Sequence, residues 1–185
     1  MNKTVAFITK TAMLLALTVL FQSLRVIIPM PASLSQFIAG SLVNMSLIIA
    51  GVTIGIRGGL AVAVLTPVVA LLHGFIGNPV LVPFVALGNV IIVVIVPLLY
   101  HSNRHLAVIA GAAAKFVTLY LLIVKFAFPV LLAPSLPAPQ ASKMIGVLSY
   151  QFSWLQFVTA LLGGVLAMII LPWLVRINNQ PGAKF

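Results

Sequence analysis

The chain has 185 residues, of which 63% are hydrophobic and 5% charged, with ten Lys and Arg residues and no Asp or Glu. Soluble domains contain about 25% charged residues, so the composition excludes a soluble protein and indicates an integral membrane protein. The absence of cysteine excludes disulfides, thiol chemistry and Cys-ligated metals. The cations are few and scattered, which argues against a nucleic-acid-binding face.

Six apolar runs follow one another along the chain, each near the roughly 20 residues that a membrane-spanning helix needs. The first run is longer than a signal-peptide core and no small-residue cleavage site follows it, so a retained first span is expected. Turn-forming segments separate the runs, among them "PMPASLSQ", "HGFIGNP" and "APSLPAPQASK". The sequence predicts an all-α integral membrane protein, a single domain over residues 1–185, with spans at 5–28, 36–55, 59–76, 80–100, 106–131 and 147–175.

The distribution of Lys and Arg predicts the orientation of these spans, because cytoplasmic loops carry an excess of both. Apart from Lys115 and Lys125 within the fifth span, one side of the predicted bundle has only Arg25 and Lys143. The other side carries both termini and six cations, so both termini are expected in the cytoplasm. These six cations are Lys3, Lys10, Arg57, Arg104, Arg176 and Lys184.

Polar residues within the spans are biased toward the predicted outer side. Lipid offers no hydrogen bonds, so polar groups in a bundle must find partners or line a wet cavity. The bias therefore predicts a pocket that opens outward and is closed on the cytoplasmic side. Hydrogen bonds between helices are the alternative explanation for any single residue. The residues concerned are Gln22, Arg25, Asn44, His73, Asn78, Asn89, Lys125 and Gln151.

The fifth span contains two lysines, Lys115 and Lys125. An ammonium at the bilayer centre costs about 2.5–3.5 kcal/mol, and this chain has no carboxylate to pair with it. At 100° per residue the two lysines fall within an arc of about 80°, so both are expected on one side of the bundle. Lys125 is predicted to face the pocket, with snorkelling to the interface as the alternative. Lys115 is expected to meet helix carbonyls, water or an acidic residue of a partner subunit, or to be partly neutral.

Enzymatic functions are not favoured by these residues. No carboxylate is available for general acid–base catalysis or for a carboxylate-coupled symporter. The three histidines lie on opposite predicted sides, so neither a metal site nor a bound cofactor is expected. No phosphate-binding G-x-x-x-x-G-K-[ST] motif is present, so the chain is not expected to hydrolyse ATP.

Several stretches resemble the substrate-specific S component of energy-coupling factor (ECF) vitamin transporters. "TAMLLALTVL" contains Ala12 and Ala16 as A-x-x-x-A, a small-residue stripe on which another helix can pack closely. "GSLVNMSLIIAGVTIGIRGGLAVAVLTPVVALLHG" and "VPFVALGNV" are similar to the second to fourth spans of that family. The length, the six predicted spans and the predicted topology also fit.

The resemblance implies a protein of the bacterial plasma membrane that binds a vitamin or a precursor from outside. In the family it then docks on a transmembrane T component with two ATPases, and here Ala12 and Ala16 would form the docking stripe. The family's pocket lies mainly in spans four to six, under the first, third and fifth loops. By position, the substrate-binding residues would be His73, Asn78, Asn89, Lys125, Tyr150, Gln151 and Trp154.

The excess of cations favours an anionic substrate, and pantothenate is preferred because it combines a carboxylate with an amide and hydroxyls. A neutral heteroaromatic such as hydroxymethylpyrimidine or pyridoxine is the alternative, stacked on aromatic side chains. Folate or cobalamin would need a larger cavity. Two other classes stay open, a structural subunit of a membrane complex with no ligand and a small facilitative channel.

Overall fold

The computed structural model describes residues 2–28 and 31–178, and within these ranges every regular element is helical. Short 3₁₀ turns precede α4 and α6, at Pro79–Leu81 and Ala133–Ser135. The prediction of an all-helical membrane bundle is therefore confirmed. The helices are α1 (Lys3–Ile27), α2 (Ala32–Thr53), α3 (Ile56–Leu72), α4 (Val82–Tyr100), α5 (Arg104–Leu119, continued by a π-helical segment over Tyr120–Leu132), α6 (Ala138–Gln151) and α7 (Trp154–Asn178).

Among the described residues, five helical stretches are long and apolar enough to cross a membrane, and α3 is a shorter apolar helix of 17 residues. Most helix boundaries lie within a few residues of the predicted spans. The number of membrane crossings and the cytoplasmic location of the termini stay predictions. Of the cations that predict this topology, Lys184 lies outside the described residues.

The centre of the bundle is α2, which packs against α1, α3, α4 and α7. Leu47, Ile48 and Ala50 on α2 are fully buried in the main apolar core. Packing these side chains against one another stabilises the bundle through dispersion contacts. Lipid is as apolar as the core, so it supplies no hydrophobic driving force. Because α2 is enclosed on several sides, its polar residues must be satisfied inside the protein.

The π-helical segment changes the direction of one of the two lysines in the fifth span. A π-helical turn holds about one residue more than an α-helical turn, so each residue there turns the chain by roughly 80° rather than 100°. From Tyr120 to Lys125 this removes roughly 90°, which places Lys125 nearly opposite Lys115. Lys115 is buried, 3% exposed, whereas Lys125 is exposed. The prediction that both lysines face one side is wrong.

A helix also occupies the predicted fifth loop. The sequence prediction places a connection before residue 147, but α6 begins at Ala138 and α7 begins only at Trp154. The prolines of this segment indicate a turn, yet Pro137 is the N-cap and Pro139 lies in the first turn of α6, where a missing N–H costs nothing. The buried Leu148 packs α6 against the π-helical segment.

A cationic cavity at one end of the bundle

A partly enclosed cavity of about 110 Å³ lies at one end of the bundle. This end holds the C-terminus of α1, the N-terminus of α2, the connection between α3 and α4, and the start of α7. It is therefore the end opposite the chain's N-terminus. Apolar walls come from side chains that include Phe75, Ile76, Phe152 and Leu155. The polar side chains that line the cavity are Gln22, Arg25, Gln36, Asn44, Thr66, Asn89, Lys115, Gln151, Gln156 and Thr159.

Lys115 lies at the cavity wall and is held by two asparagines from neighbouring helices. Its Nζ donates a hydrogen bond to Asn44 Oδ1 on α2 at 2.6 Å, and a second to Asn89 Oδ1 on α4 at 2.8 Å. All three side chains are at most 3% exposed. An ammonium has three N–H donors, and these two bonds use two of them. With no Asp or Glu in the chain, the partners of this amine are amide oxygens and not carboxylates.

The orientation of both amides follows from their other hydrogen bonds. Asn44 Nδ2 donates to Thr159 Oγ1 on α7, and Asn89 Nδ2 donates to the Ala63 carbonyl on α3, each at 3.4 Å. A backbone carbonyl can only accept, so the Asn89 amide must present its oxygen to the lysine. Four helices therefore contribute to holding the Lys115 ammonium in place.

Two close helix contacts bring these side chains together. A Cβ at Gly163 on α7 would lie 2.6 Å from the Ser41 carbonyl oxygen of α2 and 2.7 Å from Asn44 Cβ. A Cβ at Gly88, next to Asn89 on α4, would lie 2.6 Å from side-chain atoms of Leu119 on α5. Glycine at these positions lets the helix backbones approach closely. In this packing, Asn44 and Asn89 lie within hydrogen-bonding distance of Lys115.

The α1 side of the cavity contains two polar atoms without partners among the described residues. Gln22 is 6% exposed, and its Nε2 donates to the Thr66 carbonyl at 3.1 Å. Its Oε1 is buried and accepts no hydrogen bond. Arg25 stacks its guanidinium 3.9 Å from the centre of the Phe75 ring, and its Nε is also buried without a partner. This wall therefore offers one free acceptor and one free donor.

Of the residues placed in the site by position, Asn89 and Gln151 line this cavity. Tyr150 is exposed and borders an adjoining open groove, which also contains Ser33, Gln36 and Gln151. Trp154 is 52% exposed and makes an edge contact with Tyr150. The groove joins the cavity through Gln36 and Gln151, which line both.

Three other predicted site residues, His73, Asn78 and Lys125, are not among the cavity-lining side chains. Asn78 accepts a hydrogen bond from the Val80 N–H, as the cap of a 3₁₀ turn. His73 packs against Phe75, a cavity residue, with ring centres 5.6 Å apart. Lys125 has its Nζ 5.6 Å from the centre of the Tyr120 ring on the outside of the bundle. Depth in the membrane, the basis of the prediction, does not fix the side of a helix on which a residue lies.

Sequence reasoning counted Asn44 among the polar residues that predict the pocket, but it missed Lys115 as a cavity residue and did not pair the two. The sequence did contain the signal. Lys115 lies deep in a span of a chain without carboxylates, and Asn44 and Asn89 lie at comparable depth in two other spans. Arrangements of this kind bind ligands through charge and hydrogen bonds. Among the described residues, no three His, Cys, Asp or Glu side chains form a group that could hold a metal ion.

The described helices form an apolar bundle with a polar cavity at one end. The family model described as "ECF transporter, substrate-specific component" matches residues 6–175. The chain therefore belongs to this family, as the sequence resemblance predicts. No curated protein and no solved structure matches the chain. Members of the family are substrate-binding subunits that associate with a T component and ATPases, and are not themselves enzymes.

Proposed function

We propose that this chain binds a small water-soluble vitamin or vitamin precursor in the cavity and passes it to a T component with two ATPase subunits. The observation that carries the proposal is the cavity of amides and cations enclosed by otherwise apolar helices. Polar groups at this depth are costly unless they have partners or a ligand. Family membership supplies the transport context.

The ligand enters from the outer face of a bacterial plasma membrane. Two observations support this direction. The cavity lies at the end of the bundle opposite the N-terminus, and the cation count assigns the N-terminal end to the cytoplasm. A substrate-binding subunit that scavenges from the medium must present its site on the outer side.

Pantothenate is our preferred substrate. Lys115 and Arg25 both line the cavity, so a carboxylate is favoured and a cationic vitamin such as thiamine is disfavoured. The amides provide partners for the amide and hydroxyls of pantothenate. The small volume of the cavity, about 110 Å³, favours the smaller vitamins over folate and cobalamin.

A neutral heteroaromatic such as hydroxymethylpyrimidine or pyridoxine is the second candidate. The aromatic rings of Phe75 and Phe152 at the cavity wall favour it, because they offer faces for stacking. The non-transporting alternative is a structural subunit of a membrane complex. In that case the cavity would hold only water and no small molecule would accompany the purified protein.

Docking on the T component would use the stripe of Ala12 and Ala16. Both residues are exposed on α1, which is the least buried of the long helices. Small side chains four residues apart let another helix approach closely. The stripe lies in the middle of α1, before Gln22 and Arg25 at the cavity, so docking and ligand binding use different parts of one helix.

Two measurements test this function. Mass spectrometry of the purified protein should find a retained water-soluble vitamin or precursor. Cells that produce the chain with a T component and two ATPases should take up that compound, and an ATPase-inactive control should not. A protein that retains no small molecule and supports no ATP-dependent uptake would instead be a structural subunit.

A further inference from the structure

Resting on the proposed function, we infer that the cavity selects a small carboxylic acid that also carries a hydroxyl or amide N–H. Lys115 on α5 receives the acid group, and Gln22 and Arg25 on α1 receive the ligand's neutral polar groups. The inference assigns the anion site to the deepest charged residue of the bundle and not to the exposed lysine of the same span.

Lys115 has more hydrogen-bond donors than partners among the described residues. Its ammonium donates to Asn44 and Asn89, and a third N–H remains. The side chain is 3% exposed and lines the cavity, so a partner for this donor must come from within the cavity. The two asparagines supply dipoles but no negative charge. A ligand carboxylate would supply both a hydrogen-bond acceptor and the missing counter-charge.

Gln22 and Arg25 line the cavity from α1, and each has one buried polar atom without a partner among the described residues. Gln22 Oε1 is a buried acceptor without a partner, and the Thr66 carbonyl fixes the amide so that this atom must be the oxygen. An acceptor of this kind requires a donor from the ligand, such as a hydroxyl or an amide N–H. Arg25 Nε is the complementary donor and requires an acceptor. A plain hydrocarbon acid would leave both atoms unpaired, which is costly in a closed cavity.

Lys125 provides a matched control for substitutions at Lys115. Both lysines belong to the same continuous helical span, but Lys125 is exposed, with its Nζ 5.6 Å from the centre of the Tyr120 ring. A substitution at Lys125 changes the net charge of the protein by the same amount as one at Lys115. An effect restricted to Lys115 therefore reports the cavity and not the general electrostatic field.

Binding is measured by calorimetry in detergent with acids and their neutral counterparts, namely pantothenate with panthenol, nicotinate with nicotinamide, and biotin with biotinamide. In the wild type, at least one acid should bind about 10- to 150-fold tighter than its neutral partner, the range for one charge-assisted hydrogen bond. Lys115→Met should abolish that preference, and Lys125→Met should leave it unchanged. Lys115→Arg should keep part of it.

The best-binding acid is then compared with its O- or N-methylated derivative. The wild type should prefer the compound with the free donor, and Gln22→Met should reduce that preference. If Lys115→Met does not fold, the wild type still tests the preference for an acid, and a partial preference in Lys115→Arg tests its assignment to Lys115. Equal affinity within every pair overturns the inference. A neutral vitamin that is retained and transported would also overturn the inference but would leave the proposed function intact. No binding and no uptake would refute both the inference and the proposed function.

Discussion

Lys115 Nζ lies 2.8 Å from Asn89 Oδ1 and so joins α5 to α4 inside the bundle without any carboxylate. The same ammonium reaches Asn44 on α2 at 2.6 Å. This arrangement explains how a lysine can be tolerated in the middle of an apolar span. It also leaves Lys115 without a negatively charged partner at the cavity wall, where the proposed ligand carboxylate would supply one.

The first prediction concerns the stability of this arrangement. Asn89→Leu removes one acceptor from a buried ammonium and should lower the free energy of unfolding by about 1.5–3 kcal/mol, the range for hydrogen bonds to charged groups. Thermal unfolding of the detergent-solubilised protein measures it. In a Lys115→Met background the same substitution should cost clearly less, because no charge is left unpaired. Equal costs in both backgrounds would show that the two residues are not coupled.

The second prediction concerns the close contact of α2 and α7. Gly163→Ala would place a Cβ 2.6 Å from the Ser41 carbonyl oxygen and 2.7 Å from the Met45 backbone nitrogen. The helices must separate, at a cost of about 1–3 kcal/mol. Ligand affinity should fall as well, because Asn44 shifts relative to Lys115. The matched control is Gly146→Ala on α6, where a Cβ meets no atom within 4 Å. Similar stability of the two variants would argue against tight packing at Gly163.

The sequence predicted much of the fold because its signals are local. Apolar runs of about 20 residues and intervening turn residues are sufficient to identify the helices and most of their ends. The helix α6 was missed because prolines such as Pro139 are equally compatible with a loop and with the first turn of a helix.

The cavity was harder to predict because its composition depends on how the helices rotate. The π-helical segment over Tyr120–Leu132 turns Lys125 away from the side on which Lys115 lies. An α-helical wheel cannot represent this change. Asn89 and Gln151, chosen from depth, line the cavity, and their role in substrate binding stays a prediction. The pairing of Asn44 with Lys115, 71 residues apart, depends on tertiary packing.

The third prediction concerns orientation in the membrane. The chain has no cysteine, so single cysteines at Ser142 and Ser102 can be labelled without background. Both positions are exposed, on α6 and in the connection between α4 and α5. A membrane-impermeant maleimide should label Ser142→Cys in intact cells and Ser102→Cys only after lysis. The reverse pattern would place the cavity on the cytoplasmic side.

The fourth prediction concerns docking. Ala12→Leu combined with Ala16→Leu should reduce ATP-dependent uptake strongly, because two bulky side chains keep the partner helix at a distance. Ligand binding by the isolated protein should be unchanged, since both residues are exposed and neither lines the cavity. Val165→Leu, at an exposed position of α7, serves as the control for enlarging a lipid-facing side chain. Normal uptake and normal complex assembly in the double variant would exclude this stripe as the docking surface.

An experimental structure of the protein with its retained ligand would show whether Lys115 receives the acid group. We expect a ligand carboxylate oxygen within about 2.7–2.9 Å of Lys115 Nζ, the usual distance for such charge-assisted bonds. Asn44 and Asn89 should keep their contacts with the same ammonium. A ligand whose acid group lies at Lys125, or a neutral ligand that leaves Lys115 bonded to the asparagines alone, would contradict the account.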